Sequence, residues 1–185
     1  QIANIINATD DDIMVGSLPL FHAFGIVVTT FLPLIEGIKC VCHPDPTDGL
    51  GLGKLISQYK ATIMTGTSTF FRLYTKNSKV HPLMFESLRL CVAGAEKLRE
   101  DVRYDFKKKF GKDILEGYGT SETSPVAACN LPDVLAPDFS VQVGNKIGTV
   151  GMAIPGTTIK IVDPQTFEEL ATNEEGMILI SGIQV

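Results

Sequence analysis

Residues Glu116–Pro125 read EGYGTSETSP. Gly117 and Gly119 flank Tyr118. Glycine lets backbone approach a flat ligand closely and permits positive φ, so this stretch can offer a purine either the tyrosine face or main-chain groups. Thr120, Ser121 and Thr123 carry hydroxyls that donate to phosphate oxygens, and Glu122 is a hard oxygen ligand suited to Mg2+, an ion that usually arrives with phosphates. Plainer roles exist for the same residues. The glycines fit a tight strand-to-loop bend with Tyr118 in the core, and the hydroxyls fit a helix cap.

Three further stretches combine polar or small residues with an apolar run before them. Gly94-Ala95-Glu96 follows Leu88–Ala93, and its small residues would let a base lie against backbone. A simple strand-to-helix turn, with Glu96 near a helix N-terminus, explains it equally well. His22 closes Pro19-Leu20-Phe21-His22, where it could meet a substrate or serve as a satisfied structural histidine. Gly66-Thr67-Ser68-Thr69 has the look of a phosphate-cradling loop, but it lacks the later glycine and the lysine such a loop needs. Phe70 and Phe71 follow at once, so it reads as a helix start whose hydroxyls face a pocket wall.

These stretches are placed by a repeated pattern. Ile13–Leu18, Ile38–Cys42, 62–65, Leu88–Ala93 and 113–116 are short apolar runs, read as strands. Between them lie helical patterns. Ala23–Ile35 is apolar nearly all round, hence a buried helix ended by Glu36-Gly37. Leu52, Leu55, Ile56 and Tyr59 recur at helical spacing, as do Phe70, Phe71 and Tyr74. Leu98, Val102, Phe106 and Phe110 stripe one side of a third such helix. Five alternations predict an α/β fold: a parallel sheet covered by helices on both faces. In such sheets ligands sit beyond the carboxyl ends of the strands, where all four stretches fall. The expected division is an α/β subdomain over 1–130, a loop or boundary over 131–148 with Pro132 and Pro137, and a β-rich tail over 149–185, with antiparallel strands at Thr157–Val162 and Met177–Ser181.

Composition narrows the function. The chain has 185 residues, 44% of them hydrophobic, enough for a real core. A net charge of -5 argues against a duplex nucleic-acid binder, and the one basic run, Lys107-Lys108-Lys109, sits where a helix ends and cations offset its dipole. Cys40, Cys42, Cys91 and Cys129 form no C-x-x-C pair. Their spacing is wrong for a structural zinc site, and they read as buried free thiols. Ala23–Ile35 is too short to cross a membrane, which takes ~20 residues.

In order along the chain, LPLFHAFG (Leu18–Gly25), VAGAEKL (Val92–Leu98), EGYGTSETSPV (Glu116–Val126), GTVGMAIPG (Gly148–Gly156) and EEGMILISG (Glu174–Gly182) resemble the adenylate-forming superfamily of acyl-CoA and acyl-ACP synthetases. GTSTF (Gly66–Phe70), AGAEKL and ILEGYG resemble more narrowly the synthetase portion of the bacterial bifunctional 2-acylglycerophosphoethanolamine acyltransferase/acyl-ACP synthetase. The resemblance implies a fatty carboxylate attacking the α-phosphate of ATP-Mg2+ to give acyl-adenylate and pyrophosphate. A phosphopantetheine thiol of acyl carrier protein or CoA then takes the acyl group, and in the bifunctional branch a lysophospholipid receives it. Gly94, Ala95 and Glu96 match one border of adenine, and Gly117, Tyr118 and Gly119 the other. Thr120, Ser121 and Thr123 match the phosphate-facing residues, with Ser121 where the family usually has threonine. Glu122 matches the magnesium ligand, and His22 a residue near the acyl carboxylate.

The same resemblance places a Gly-rich loop ending in Pro-Lys upstream of Gln1, and a ribose-binding aspartate and a lid domain beyond Val185. The chain is then expected to be an excerpt, a soluble monomer without turnover of its own, from a parent on the cytoplasmic side with an inner-membrane association. Two other readings stand beside it: a non-catalytic nucleotide or acyl-chain binding module, and a free-standing α/β interaction domain whose glycines are turns.

Overall fold

A computed structural model describes residues 1–185. Its elements run α1 (Ile2–Ile5), β1 (Ile13–Gly16), α2 (Ala23–Ile26), a π-turn (Val27–Phe31), α3 (Leu32–Glu36), β2 (Lys39–Cys42), α4 (Gly49–Tyr59), β3 (Ile63–Gly66) and α5 (Ser68–Lys76). There follow β4 (Leu90–Ala93), α6 (Glu100–Phe110), β5 (Ile114–Tyr118), β6 (Ala128–Cys129), β7 (Val134–Leu135), β8 (Val141–Gln142), β9 (Met152–Ala153), β10 (Thr157–Val162) and β11 (Met177–Gly182). The large sheet has the order β2-β1-β3-β4-β5-β6-β9. β1 to β5 are mutually parallel, whereas β6 runs antiparallel to β5 and β9 antiparallel to β6.

Strand alternation sends successive side chains to opposite faces, and both faces are covered. Cys91 and Ala93 of β4 face a core with Leu52, Ile56, Phe71, Tyr74, Phe85, Phe106 and Phe110. Four of those rings interlock, Phe71 edge-on to Phe106 at 5.1 Å and Phe85 stacked on Phe110 at 4.5 Å, a geometry that adds to simple burial. On the other face Met14, Ile63, Leu90 and Leu115 meet Val28, Leu32 and Ile6.

The run Ala23–Glu36 departs from its expected burial. Gly25, Val28, Thr29, Leu32 and Pro33 are its buried residues and Phe24 packs beside them, while Phe31, Leu34 and Ile35 are exposed. One stripe suffices to face a sheet, and apolarity all round does not say which stripe that is. A π-turn precedes Pro33. Proline has no N–H to give the carbonyl four residues back, that of Thr29, and the Cys40 thiol approaches this oxygen at 3.5 Å. Gly37 ends the run at φ 71.

Other expectations shift in detail. The stretch 131–148 holds the β7–β8 hairpin rather than a plain loop, and β9, in the expected tail, joins the large sheet through β6. β10 and β11 pair antiparallel as a separate ribbon. Cys91 and Cys129 are buried, but Cys42 is exposed, and its sulfur lies 3.9 Å from that of Cys40. Lys107, Lys108 and Lys109 occupy the last turn of α6, as expected, and Lys109 has a second role. Its Nζ donates to the carbonyls of Tyr74, Thr75 and Asn77, so it caps the end of α5.

At the edge of the sheet away from the glycine-rich stretches, Asp12 joins three chain segments. Its carboxylate accepts from Arg89 Nε (2.8 Å) and Nη2 (2.6 Å), from Thr62 Oγ1 (2.6 Å) and from the Thr9 amide (2.9 Å). The Arg89 hydrogen bonds chiefly hold this carboxyl far below its usual range; burial opposes them and Thr62 and Thr9 assist. A depressed folded-state value means the contribution is complete above the unfolded carboxyl value and is lost as pH falls through the folded one. Asp12→Asn is expected to cost about 2 kcal/mol at neutral pH and to flatten the acid limb of a pH–stability curve measured by urea unfolding.

Candidate functional site

Two cavities open over the carboxyl ends of β4 and β5, although the strand order reverses between β1 and β3. The first, about 140 Å³, is lined by His22, Phe24, Val92, Gly94, Ala95, the run 117–121, Pro125, Val126 and Cys129. The second, about 400 Å³, is lined by Ala95–Lys97, 116–119 and 148–150. Ala95, Gly117, Tyr118 and Gly119 line both, so the Gly-Tyr-Gly segment is a partition between them. The first lies on the side of the sheet that α2 covers; its Val92 and Phe24 pack against that core.

The partition is thin, and at Gly119 a glycine is required. A Cβ on Gly119 would fall 1.8 Å from the Pro125 carbonyl oxygen, closer than any real contact. Tyr118 and Gly117 pair with Ala128 and Cys129 of β6, and the Ala127 amide donates to the Tyr118 carbonyl at 2.8 Å. Beyond Gly119, Ser121–Thr123 form one 3-10 turn. Thr123 braces that turn rather than lining a cavity. It is buried, and its hydroxyl accepts from the Thr120 amide (2.9 Å) and donates to the Thr120 carbonyl (3.0 Å). Thr120 and Ser121 are exposed at the mouth of the first cavity. Glu122 projects into solvent beside them. Its own amide and the Thr120 hydroxyl hold its carboxyl below the ordinary value, so it stays ionised at neutral pH.

The opposing rim is Gly94–Arg99. Ala95 sits at φ 66, a left-handed conformation that alanine avoids. The surrounding bonds hold it there. The Glu96 carboxylate accepts from the Thr69 amide. Burial acts to raise this carboxyl, but the Thr69 amide and the Thr69 and Thr67 hydroxyls outweigh it and hold it below the ordinary value. The Arg99 amide donates to Ser68 Oγ at 3.2 Å. The hydroxyls after Gly66 therefore anchor this rim instead of lining either cavity, and Thr67 caps α5 by accepting from the Phe70 amide at 3.3 Å.

His22 caps α2 and reaches the first cavity from β1. Its Nδ1 accepts from the Phe24 amide at 3.1 Å. With Nδ1 an acceptor, the neutral ring carries its proton on Nε2, a donor for a carboxylate entering the cavity. Gly25 lets α2 approach the preceding loop, because a Cβ there would lie 2.1 Å from the Pro19 carbonyl oxygen.

Sequence reading missed Phe24, Pro125, Val126 and Cys129 as lining residues, and gave the Gly148–Val150 loop no role. It also missed Asn130, which is wholly buried. Its Nδ2 donates to the Thr149 carbonyl (2.7 Å) and the Glu116 carbonyl (3.1 Å), and its Oδ1 accepts from the Lys146 amide (2.9 Å). An asparagine next to a buried cysteine in an apolar run was the available signal.

The mostly parallel sheet, its flanking helices and the glycine-walled cavities at its carboxyl edge define the N-terminal domain of adenylate-forming enzymes. A model of the family described as AMP-binding enzyme matches residues 1–185, and the chain belongs to that family. It is 31% identical over 174 residues to a long-chain-fatty-acid–CoA ligase of Salmonella typhimurium, covering 94% of this chain and 29% of that protein. A long-chain-fatty-acid–CoA ligase of Bacillus subtilis is 29% identical over 174 residues, 93% of this chain and 29% of its own length. The crystal structure of ATP-bound MatB from Rhodopseudomonas palustris superimposes with a TM-score of 0.81 at 26% identity, covering 98% of this chain and 33% of that one. The chain thus spans about a third or less of each of these three proteins.

Proposed function

We propose that this chain supplies the adenosine-facing and acyl-facing walls of a fatty-acid-activating ligase, which joins a fatty carboxylate to AMP from ATP and passes the acyl group to a phosphopantetheine thiol. One observation carries the reading: a single strand end, Gly117–Gly119, divides a larger cavity rimmed by Glu96, Lys97 and Thr149 from a smaller one lined by Phe24, Val92 and Val126. An adenosine in the larger cavity and a carboxylate in the smaller would meet past the end of that partition, beside Thr120 and Ser121. There the hydroxyls donate to phosphate oxygens and His22 Nε2 donates to the carboxylate. Holding both reactants in line is most of what such a displacement asks of a protein.

The residues present fit Mg2+ in the way that ion is usually held. Glu122 is ionised and exposed, and no cluster of three potential ligands forms a protein-only cage. One carboxylate plus substrate phosphates is the common arrangement. When bound, the ion would neutralise phosphate charge; Glu122 would hold it at the mouth of the first cavity.

The wording GTSTF, AGAEKL and ILEGYG supports a narrower reading, in which the acceptor is acyl carrier protein and a lysophospholipid is the final acyl acceptor. CoA is the competing acceptor, as in the relatives named CoA ligases. The two part in a thioesterification assay on the full-length parent. Faster transfer to holo-acyl carrier protein than to CoA is the expected result; transfer to CoA alone removes the narrower reading. For the chain alone we propose ligand binding without turnover. Fatty-acid-dependent ATP–pyrophosphate exchange should stay at background, and robust exchange would contradict this.

A further inference from the structure

Glu116 directly precedes the partition, yet its side chain lies in neither the phosphate-facing nor the acyl-facing group. It is 5% exposed. Its Oε1 accepts from the Leu98 amide at 2.9 Å, and its Oε2 meets Arg103 Nη2 at 3.4 Å, with Arg103 Nη1 donating to the Ile114 carbonyl at 2.9 Å. Its main-chain oxygen accepts twice from Asn130, from the amide at 2.9 Å and from Nδ2 at 3.1 Å. The same Nδ2 reaches Thr149. Both outer rims of the larger cavity, Ala95–Lys97 and Gly148–Val150, are therefore tied to this one residue, one through its carboxylate and the other through its carbonyl.

We infer that Glu116 is a positioning residue that sets the width of the larger cavity for an adenine ring. This rests on the adenylation reading above. The strained Ala95 supplies the reason a brace is needed. A left-handed alanine persists only where its neighbours over-determine it, and the Leu98 amide is the point at which the rim returns to the sheet. Without the carboxylate, Leu98 N–H is left unpaired in a buried position and Ala95 can relax toward right-handed backbone, moving Glu96 and Lys97. The Arg103 guanidinium, itself fixed by the Ile114 carbonyl, aims the carboxylate, which is why a buried ion pair lies so close to the site while no substrate group needs to touch it.

The test separates bracing from general support of the fold. Glu116→Gln keeps an oxygen acceptor for Leu98 N–H and loses the charge; Glu116→Leu loses both. Amide exchange is followed at 95–98 and, as the internal reference, at β3, alongside calorimetric titration with AMP. Glu116→Leu is expected to speed exchange at 95–98 about tenfold or more relative to β3 and to weaken AMP binding about tenfold, whereas Glu116→Gln stays within about threefold on both. Should Glu116→Leu fail to fold, Glu116→Gln decides alone. Unchanged protection of Leu98 with AMP affinity within threefold supports the brace, and a tenfold loss of affinity with Leu98 still protected overturns it. Unchanged exchange at 95–98 in a folded Glu116→Leu overturns it as well. If the unsubstituted chain binds no AMP, the adenylation reading fails, while the exchange data still decide whether Glu116 holds the rim.

Discussion

Gly119→Ala is expected to abolish binding of an acyl-adenylate mimic and to destabilise the chain by about 3 kcal/mol. The added Cβ would lie 1.8 Å from the Pro125 carbonyl oxygen and 2.8 Å from Val126 Cα. Both are backbone atoms, so no side chain can swing aside. Either β5 or the loop through Pro125 must move, and each carries a wall of the first cavity. Gly117→Ala is the matched control. Its Cβ would meet Cys129 Sγ at 3.5 Å and Val92 Cγ1 at 3.7 Å, ordinary contacts. That variant should fold normally and keep AMP binding, with loss confined to ligands whose acyl part enters the smaller cavity. Urea unfolding and calorimetry on both variants check the pair; equal behaviour of the two would count against a shared partition.

Glu122→Ala is expected to act without touching the fold. The carboxylate is in solvent and meets only its own amide and the Thr120 hydroxyl, while the turn beneath it is held by Thr123. The unfolding midpoint should stay where it is. ATP affinity in the presence of Mg2+ should fall about tenfold or more, and affinity measured in excess chelator should be unchanged. The difference between the two conditions is the informative quantity. Thr123→Val should do the reverse, loosening the turn and lowering the unfolding midpoint. Mg2+ dependence that survives Glu122→Ala would remove this residue from the metal's shell.

The parallel core was legible because its signals are redundant. β3 is buried along its whole length, the aromatic stripe of Phe106 and Phe110 has helical period, and each strand run ends at a glycine or polar stretch. What the pattern does not carry is the identity of neighbours. Phe31, Leu34 and Ile35 are as apolar as Val28 and Leu32, and only packing tells the two stripes apart. β6 and β9 have two residues each and exist through pairing, without a pattern of their own. The site divides in the same way. Gly94–Glu96, Gly117–Ser121 and His22 were recognisable from chemistry and order, and the fold brings them around two adjoining cavities. That the cavities are two, sharing a strand end, depends on which side of β5 each residue faces. Glu116 read as a strand residue, Asn130 as nothing in particular, and Thr123 as a ligand. The roles of Glu116 and Asn130 lie in hydrogen bonds to main-chain groups far along the chain, which spacing cannot show, whereas Thr123 takes the plainer capping role that its spacing from Thr120 allowed.

The central claim is that one strand end separates an adenosine cavity from an acyl cavity in this chain. Calorimetric titration of the chain with AMP, with a fatty acid, and with a non-hydrolysable acyl-adenylate tests it most directly. Single-site binding of the joined ligand, tighter than that of either part and blocked by AMP and by fatty acid separately, is the expected result. Joined-ligand binding no tighter than AMP alone, or indifferent to competing fatty acid, would contradict it.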